Sequence, residues 1–225
     1  MKAKLFAKYD LSQSRGAIGV FYLVIAALIL VAGILSRLLG SSGIDGSFNG
    51  LEWTSVIFLF VAGLNSFKPY FYFACANGIS RKSMFLGELM SSGAICLLMA
   101  IMDVVIVALL PLVVPQSQLL YEAFFTGDLP LIQEMGLTFL LGLFLNCLAF
   151  ALGYLITIAY YRMNTRLKVL VSVGVPAVFT LLGAAGLLRI PMPTTLTGIL
   201  LLCLAATFLC LLFSFLLLRN AQVKG

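Results

Sequence analysis

Few side chains in this chain of 225 residues can do chemistry. It contains no histidine, which excludes Ser-His-Asp and Cys-His catalysis, histidine metal sites and histidine-held haem. It has no G-x-x-x-x-G-K-[ST] run, so no nucleotide is held by a P-loop. The five cysteines, Cys75, Cys96, Cys147, Cys203 and Cys210, lie in or beside apolar stretches without a C-x-x-C pair. An odd number in such settings argues against a disulfide framework, and they read as small packing residues. No catalytic residue and no metal site is expected.

Three polar features remain. Asp103 lies inside an apolar stretch, about 16 Å from its outer end at 1.5 Å per residue. An acid at such a depth costs about 2.5–3.5 kcal/mol and must face protein or water. It is a candidate intramembrane polar site together with Asn146. It is either a contact on a substrate path or subunit interface, or a carboxyl satisfied by Asn146, Thr157 or Ser172. Lys68 and Glu88 flank Gly78 at equal distance, so a hairpin turning there brings them to similar depth as a candidate ion pair. Between them runs Asn77-Gly78-Ile79-Ser80-Arg81-Lys82. Asn-Gly signals a turn, and Ser80 is placed to cap a short helix carrying Arg81 and Lys82. This turn either fixes topology only or docks a cytoplasmic partner.

The elements that hold these residues follow from composition. The chain is 62% hydrophobic and 10% charged, with a mean hydropathy of +1.14. Soluble domains carry about 25% charged residues, so a soluble enzyme, a nucleic-acid binder and a disordered chain are excluded. Six apolar stretches, about 16–39, 53–74, 87–114, 135–160, 167–188 and 195–218, are each long enough to span a bilayer as a helix. One set of helix ends carries twelve Lys and Arg, the other only Arg37 and Arg189. That asymmetry predicts both termini inside. The expected fold is an all-α membrane protein of six transmembrane helices with a short amphipathic N-terminal interfacial helix. Residues 1–15 are the cytoplasmic interfacial segment, 16–218 the six-helix domain and 219–225 a cytoplasmic tail. The aromatic run 67–73 suits the inner interface, and the acidic outer segments around Asp45, Glu52, Glu122, Asp128 and Glu134 either attract cationic peptides or merely avoid positive charge.

The stretch 63–88, GLNSFKPYFYFACANGISRKSMFLGE, resembles the connection between the second and third helices of small ABC-2 type transporter permeases. These are six-helix membrane subunits of bacterial ABC exporters. The shared pattern is an aromatic-rich helix end, then N-G-[IV]-S-R-K, then the next helix. The resemblance implies that Asn77, Gly78, Ile79, Ser80, Arg81 and Lys82 form the coupling element that seats in a groove of a separate ATPase. It implies no cofactor in this chain, with ATP and Mg²⁺ on the partner ATPase, and a second permease subunit completing a homodimer or heterodimer in the cell membrane. An amphipathic cargo, such as an antimicrobial or toxin peptide, would move outward. The link between the fifth and sixth helices, 189–194, is shorter than in many such permeases. The alternative is the substrate-binding membrane subunit of an energy-coupling-factor vitamin importer.

Overall fold

A computed structural model describes residues 2–39, 52–113, 131–184 and 196–219. They form six helices: α1 (Lys2–Leu39), α2 (Glu52–Ala76), α3 (Arg81–Val113), α4 (Leu131–Arg162), α5 (Thr165–Ala184) and α6 (Leu196–Arg219). No strand occurs among the described residues. Among the described residues five helices, α1, α2, α3, α4 and α6, are long and apolar enough to cross a membrane. Each helix coincides with one of the expected apolar stretches. The N-terminal segment differs. Residues 2–15 are not a separate interfacial helix but the first turns of an unbroken α1. Phe6 and Asp10 are buried there, so this segment packs inward on the bundle. The acidic outer segments lie outside the described residues or in helix ends whose side chains are not described.

The helices that pair most closely are not neighbours in sequence. α2 packs most extensively on α4, followed by α4 on α6, α1 on α3 and α3 on α4. The contacts fix the directions. Phe67 meets Tyr154 and Phe71 meets Tyr161, with ring centroids 6.0 and 5.6 Å apart, so α2 and α4 advance together. Asp10 with Ser91 and Tyr22 with Asp103 are both 81 positions apart, so α1 and α3 run parallel in one register. Arg81 donates from Nη1 to the Arg219 carbonyl at 2.6 Å, and Phe85 lies 5.3 Å from Phe215. The start of α3 therefore meets the end of α6. The C-terminal ends of α2, α4 and α6 and the starts of α1 and α3 share one end of the bundle. Every described Lys and Arg except Arg37 belongs to the helix halves at that end.

α2 and α4 approach closely because glycines face each other. A Cβ on Gly63 would collide with the Phe150 carbonyl oxygen, and one on Gly153 with the Phe60 carbonyl oxygen. Small residues allow backbones to touch where lipid supplies no hydrophobic drive between helices. Thr157 adds a hydrogen bond across the same seam, donating to the Leu64 carbonyl at 2.6 Å. Aromatic rings fill the space toward the basic end. Phe67, Tyr70 and Phe71 are buried, and of the aromatic residues in that run only Tyr72 is exposed. The aromatic run thus builds core as much as membrane interface. The outward faces are apolar instead: Val20, Leu23, Leu28 and Val31 on α1, and Leu201, Leu204, Phe208 and Leu212 on α6, are exposed.

Candidate functional site: acidic layers between α1, α2 and α3

The buried stripe of α3 recurs every three or four residues: Met84, Glu88, Ser91, Ile95, Met99, Asp103 and Val107. That is the period of one helix face. The face is mixed in character, and it carries two of the chain's eight acids into the bundle. A third, Asp10, joins them from α1. The three acids form two layers. Asp10 and Glu88 lie in one, Asp103 in the other. The Asp10–Ser91 and Tyr22–Asp103 contacts that mark the layers are twelve residues apart along both α1 and α3, or about 18 Å.

The upper layer is satisfied. Ser55 on α2 donates its hydroxyl to Asp103, 2.7 Å from both carboxyl oxygens. The Tyr22 hydroxyl on α1 lies 3.3 Å from the Met99 carbonyl and 3.5 Å from Asp103 Oδ1. Asp103 thus links three helices, and its expected burial is seen. Its expected partners are not. Thr157 is bonded to Leu64 and Gly153, and Ser172 to Tyr160. Asn146 is fully buried, and neither its amide oxygen nor its nitrogen has a hydrogen-bond partner, so Asp103 and Asn146 make no direct bond.

The lower layer is not satisfied. Ser91 on α3 donates to Asp10 Oδ2 on α1, and its hydroxyl also lies 3.1 Å from the backbone carbonyl of Glu88 one turn earlier. Glu88 itself is 2% exposed, and neither carboxyl oxygen has a hydrogen-bond partner. It borders a cavity of about 310 Å³ between α1 and α2. Asp10, Ser66 and Tyr70 line the same space on its polar side, and Phe58, Leu59 and Phe150 on its apolar side. No lysine or arginine lines it.

The expected Lys68–Glu88 ion pair is absent. Lys68 is exposed and opens onto a different cavity with Thr157, Tyr160 and Lys168. The two residues share a depth but not a side of α2. Ser66 and Tyr70, four residues apart, face the acids, whereas Lys68, two residues from each, lies about 200° around the helix.

The turn that joins α2 to α3 has the expected residues in unexpected use. Gly78 adopts φ +60°, the left-handed conformation open to glycine. Its amide bonds the Cys75 carbonyl at 3.3 Å, and the Ile79 amide bonds the Ala74 carbonyl at 2.9 Å. This double bond pattern closes α2 as a Schellman cap. Ser80 then caps α3 directly, accepting from the Ser83 amide at 3.2 Å. There is no separate short helix: Arg81 and Lys82 are the first turn of α3. Ile79 is half-buried against the aromatic core, and Arg81 is held by the end of α6. Asn77, Ser80, Arg81 and Lys82 are the exposed polar members of the turn, and of these Arg81 is bonded to α6.

Sequence reasoning missed Asp10. It lies among Lys4, Lys8 and Arg15 in a segment read as an amphipathic interfacial helix with its charges toward lipid headgroups. The available signal was its spacing from Phe6, one helical turn earlier, and its isolation as the only acid before Asp45. Among the described residues no three His, Cys, Asp or Glu side chains cluster as metal ligands. The five cysteines are free thiols. Comparisons of the chain with protein-family profiles, with curated proteins and with solved structures gave no match.

Proposed function

We propose that this chain is the transmembrane permease subunit of an ATP-driven ABC exporter, crossing the cell membrane six times with both termini inside. The observation that carries this reading is the α2–α3 turn. It is a rigid, doubly capped connection at the end of the bundle where the basic residues gather, and it presents Asn77, Ser80 and Lys82 outward. A firm turn between two long helices can pass a push from a soluble partner into the bundle. The parallel course of α4 and α6 supports a sixth crossing. The link between them must return along α6, whose 24 residues span about 36 Å, and α5 lies in that link. A second copy or a related permease would complete the transport path, seated on the apolar outer faces of α1 or α6. The chain itself then performs no catalysis.

The test is co-purification from native membranes, comparing the wild-type chain with Lys82→Glu. Lys82 is exposed and makes no hydrogen bond or ion pair among the described residues, so its reversal leaves the bundle intact while opposing an acidic groove. Wild type is expected to bring down a P-loop ATPase with measurable ATP hydrolysis, and Lys82→Glu to retain at most a tenth of it. Recovery of the same ATPase with both proteins would remove the turn as the docking point. Recovery of no ATPase with wild type would overturn the exporter reading. The vitamin-importer alternative is favoured by one observation, a ligand-sized cavity inside a single chain. A vitamin bound at one per chain after purification would select it.

A further inference from the structure

The gap between α1 and α2 is closed at both ends by aromatic contacts and open in the middle. Toward the basic end, Phe6 packs edge-on to Tyr70 at 5.7 Å and Tyr9 stacks on Phe73 at 4.7 Å. Toward the other end, Phe21 lies 4.5 Å from Phe58. Between these clamps sits the cavity of about 310 Å³, with exposed Gln13, Ala17, Asn65 and Pro69 around its mouth. Asp10 and Glu88 stand behind them, deep in the bundle.

Two features say what would fill it. The first is Glu88, almost fully buried and with no hydrogen bond to either oxygen, the Ser66 hydroxyl beside it being given to the Gly63 carbonyl at 3.1 Å. A buried carboxyl is tolerated when a donor or counter-charge meets it. The described residues around the cavity offer no cation. The second is the division of the walls into an acidic back and an apolar side. A bare metal ion suits neither. Calcium takes six to eight oxygen ligands, and the volume is about ten times that of one water molecule. An ammonium group carries three donors and one positive charge, which match two buried carboxyls on one space, Asp10 already bonded by Ser91 and Glu88 with both oxygens unbonded.

We propose that this cavity binds a small lipophilic ammonium ion, its cationic head against Asp10 and Glu88 and its apolar body against Phe58, Leu59 and Phe150. The ligand enters sideways between α1 and α2. The site is complete within one chain and does not depend on the exporter reading: it exists whether or not an ATPase docks at the α2–α3 turn.

Equilibrium dialysis of the full chain in dodecyl maltoside against radiolabelled 1-adamantylammonium tests this. Neutral 1-adamantanol, the same cage without the charge, serves as the matched competitor. Wild type should bind one ammonium per chain, and the alcohol should compete at least tenfold more weakly. Glu88→Gln keeps the shape and removes the charge, and should weaken ammonium binding at least tenfold. Ala17→Phe fills the mouth from an exposed position and should abolish binding with both acids present. It decides the matter alone if Glu88→Gln does not fold. Adding phosphatidylethanolamine separates two sources of the ammonium: displacement of the label identifies a lipid headgroup as an occupant, and no displacement identifies a free amine. Equal binding of alcohol and ammonium would overturn the proposal, as would wild-type affinity in Ala17→Phe.

Discussion

Two cavities share α2 as a wall, and they treat charge in opposite ways. The one facing α1 and α3, about 310 Å³, is backed by Asp10 and Glu88. The one facing α4 and α5, about 600 Å³, carries Lys68 and Lys168. Asn65 and Pro69 border both. Pro69 has no amide proton, so the Asn65 carbonyl lacks its helical partner where the two spaces come closest. The larger cavity is the less informative. Lys68 is exposed and Lys168 only half-buried, and long cationic side chains on a membrane helix reach water by extending along it. Glu88 is short and enclosed and cannot do so. The difference teaches that the marker of a built site is a charged group denied solvent and partner together, and not volume.

The wall itself offers the most severe way to break this comparison. Gly153→Val places a branched side chain in collision with both the Phe60 carbonyl oxygen and the Leu64 amide nitrogen, neither of which can move without shifting α2. Overpacking in a closed core costs about 1–3 kcal/mol, and backbone collision lies at or above the upper end. The variant is expected to lose its monodisperse elution in detergent, and both cavities with it. An unchanged melting profile would show that the α2–α4 seam is looser than the paired glycines imply.

The next change separates the cavities. Glu88→Met replaces a buried carboxyl lacking partners with an apolar chain of similar length. Exchanging buried charge for well-packed apolar volume is commonly neutral or stabilising by about 1–4 kcal/mol. Thermal unfolding in detergent should therefore move upward, even as ammonium binding disappears. That pattern, stability gained and binding lost, is the mark of a residue retained for a ligand. A fall in unfolding temperature would mean that Glu88 stabilises the empty bundle.

The positions of these groups were legible to different degrees. Helix existence followed from hydropathy, because a spanning segment has no other way to bond its backbone. The turn was legible in Asn77-Gly78 and Ser80, since a left-handed glycine and a capping hydroxyl are local requirements. Burial of Asp103 followed from the cost of placing it in lipid. Its partners did not, because Ser55 and Tyr22 come from distant helices whose rotation no local rule fixes. Lys68 and Glu88 failed for the same reason: depth was readable from the hairpin, the side of the helix was not. Asp10 was hidden by its basic neighbours, since Lys4 and Lys8 point outward from the same helix that turns Phe6 and Asp10 inward.

Asp103 provides the control for Glu88, as a buried acid on the same helix that does have donors. Ser55→Ala removes the hydroxyl 2.7 Å from both its oxygens and makes its surroundings resemble those of Glu88. Leaving a buried acceptor short of a donor costs about 1–3 kcal/mol. The unfolding temperature should fall, and 1-adamantylammonium binding in the lower layer, about 18 Å away, should not change. A loss of binding would show that the two acidic layers act together.

The smallest expected effect lies on the far side of α2. Lys68→Met removes the cation from the larger cavity and keeps the length of the side chain. Lys68 is exposed, and its amine has no carboxylate to lose since the pair with Glu88 does not form. Surface substitutions away from specific contacts stay within about 0.5 kcal/mol. The apolar stem that covers the cavity wall is retained in methionine, so packing against Thr157 and Tyr160 changes little. Unfolding temperature and ammonium affinity are both expected to match wild type, measured side by side with Glu88→Met. A shift in either as large as that of Glu88→Met would mean that the charge at Lys68 is felt through α2 by the acids. The two cavities would then be one electrostatic unit divided by a helix, and the contrast between them would fail.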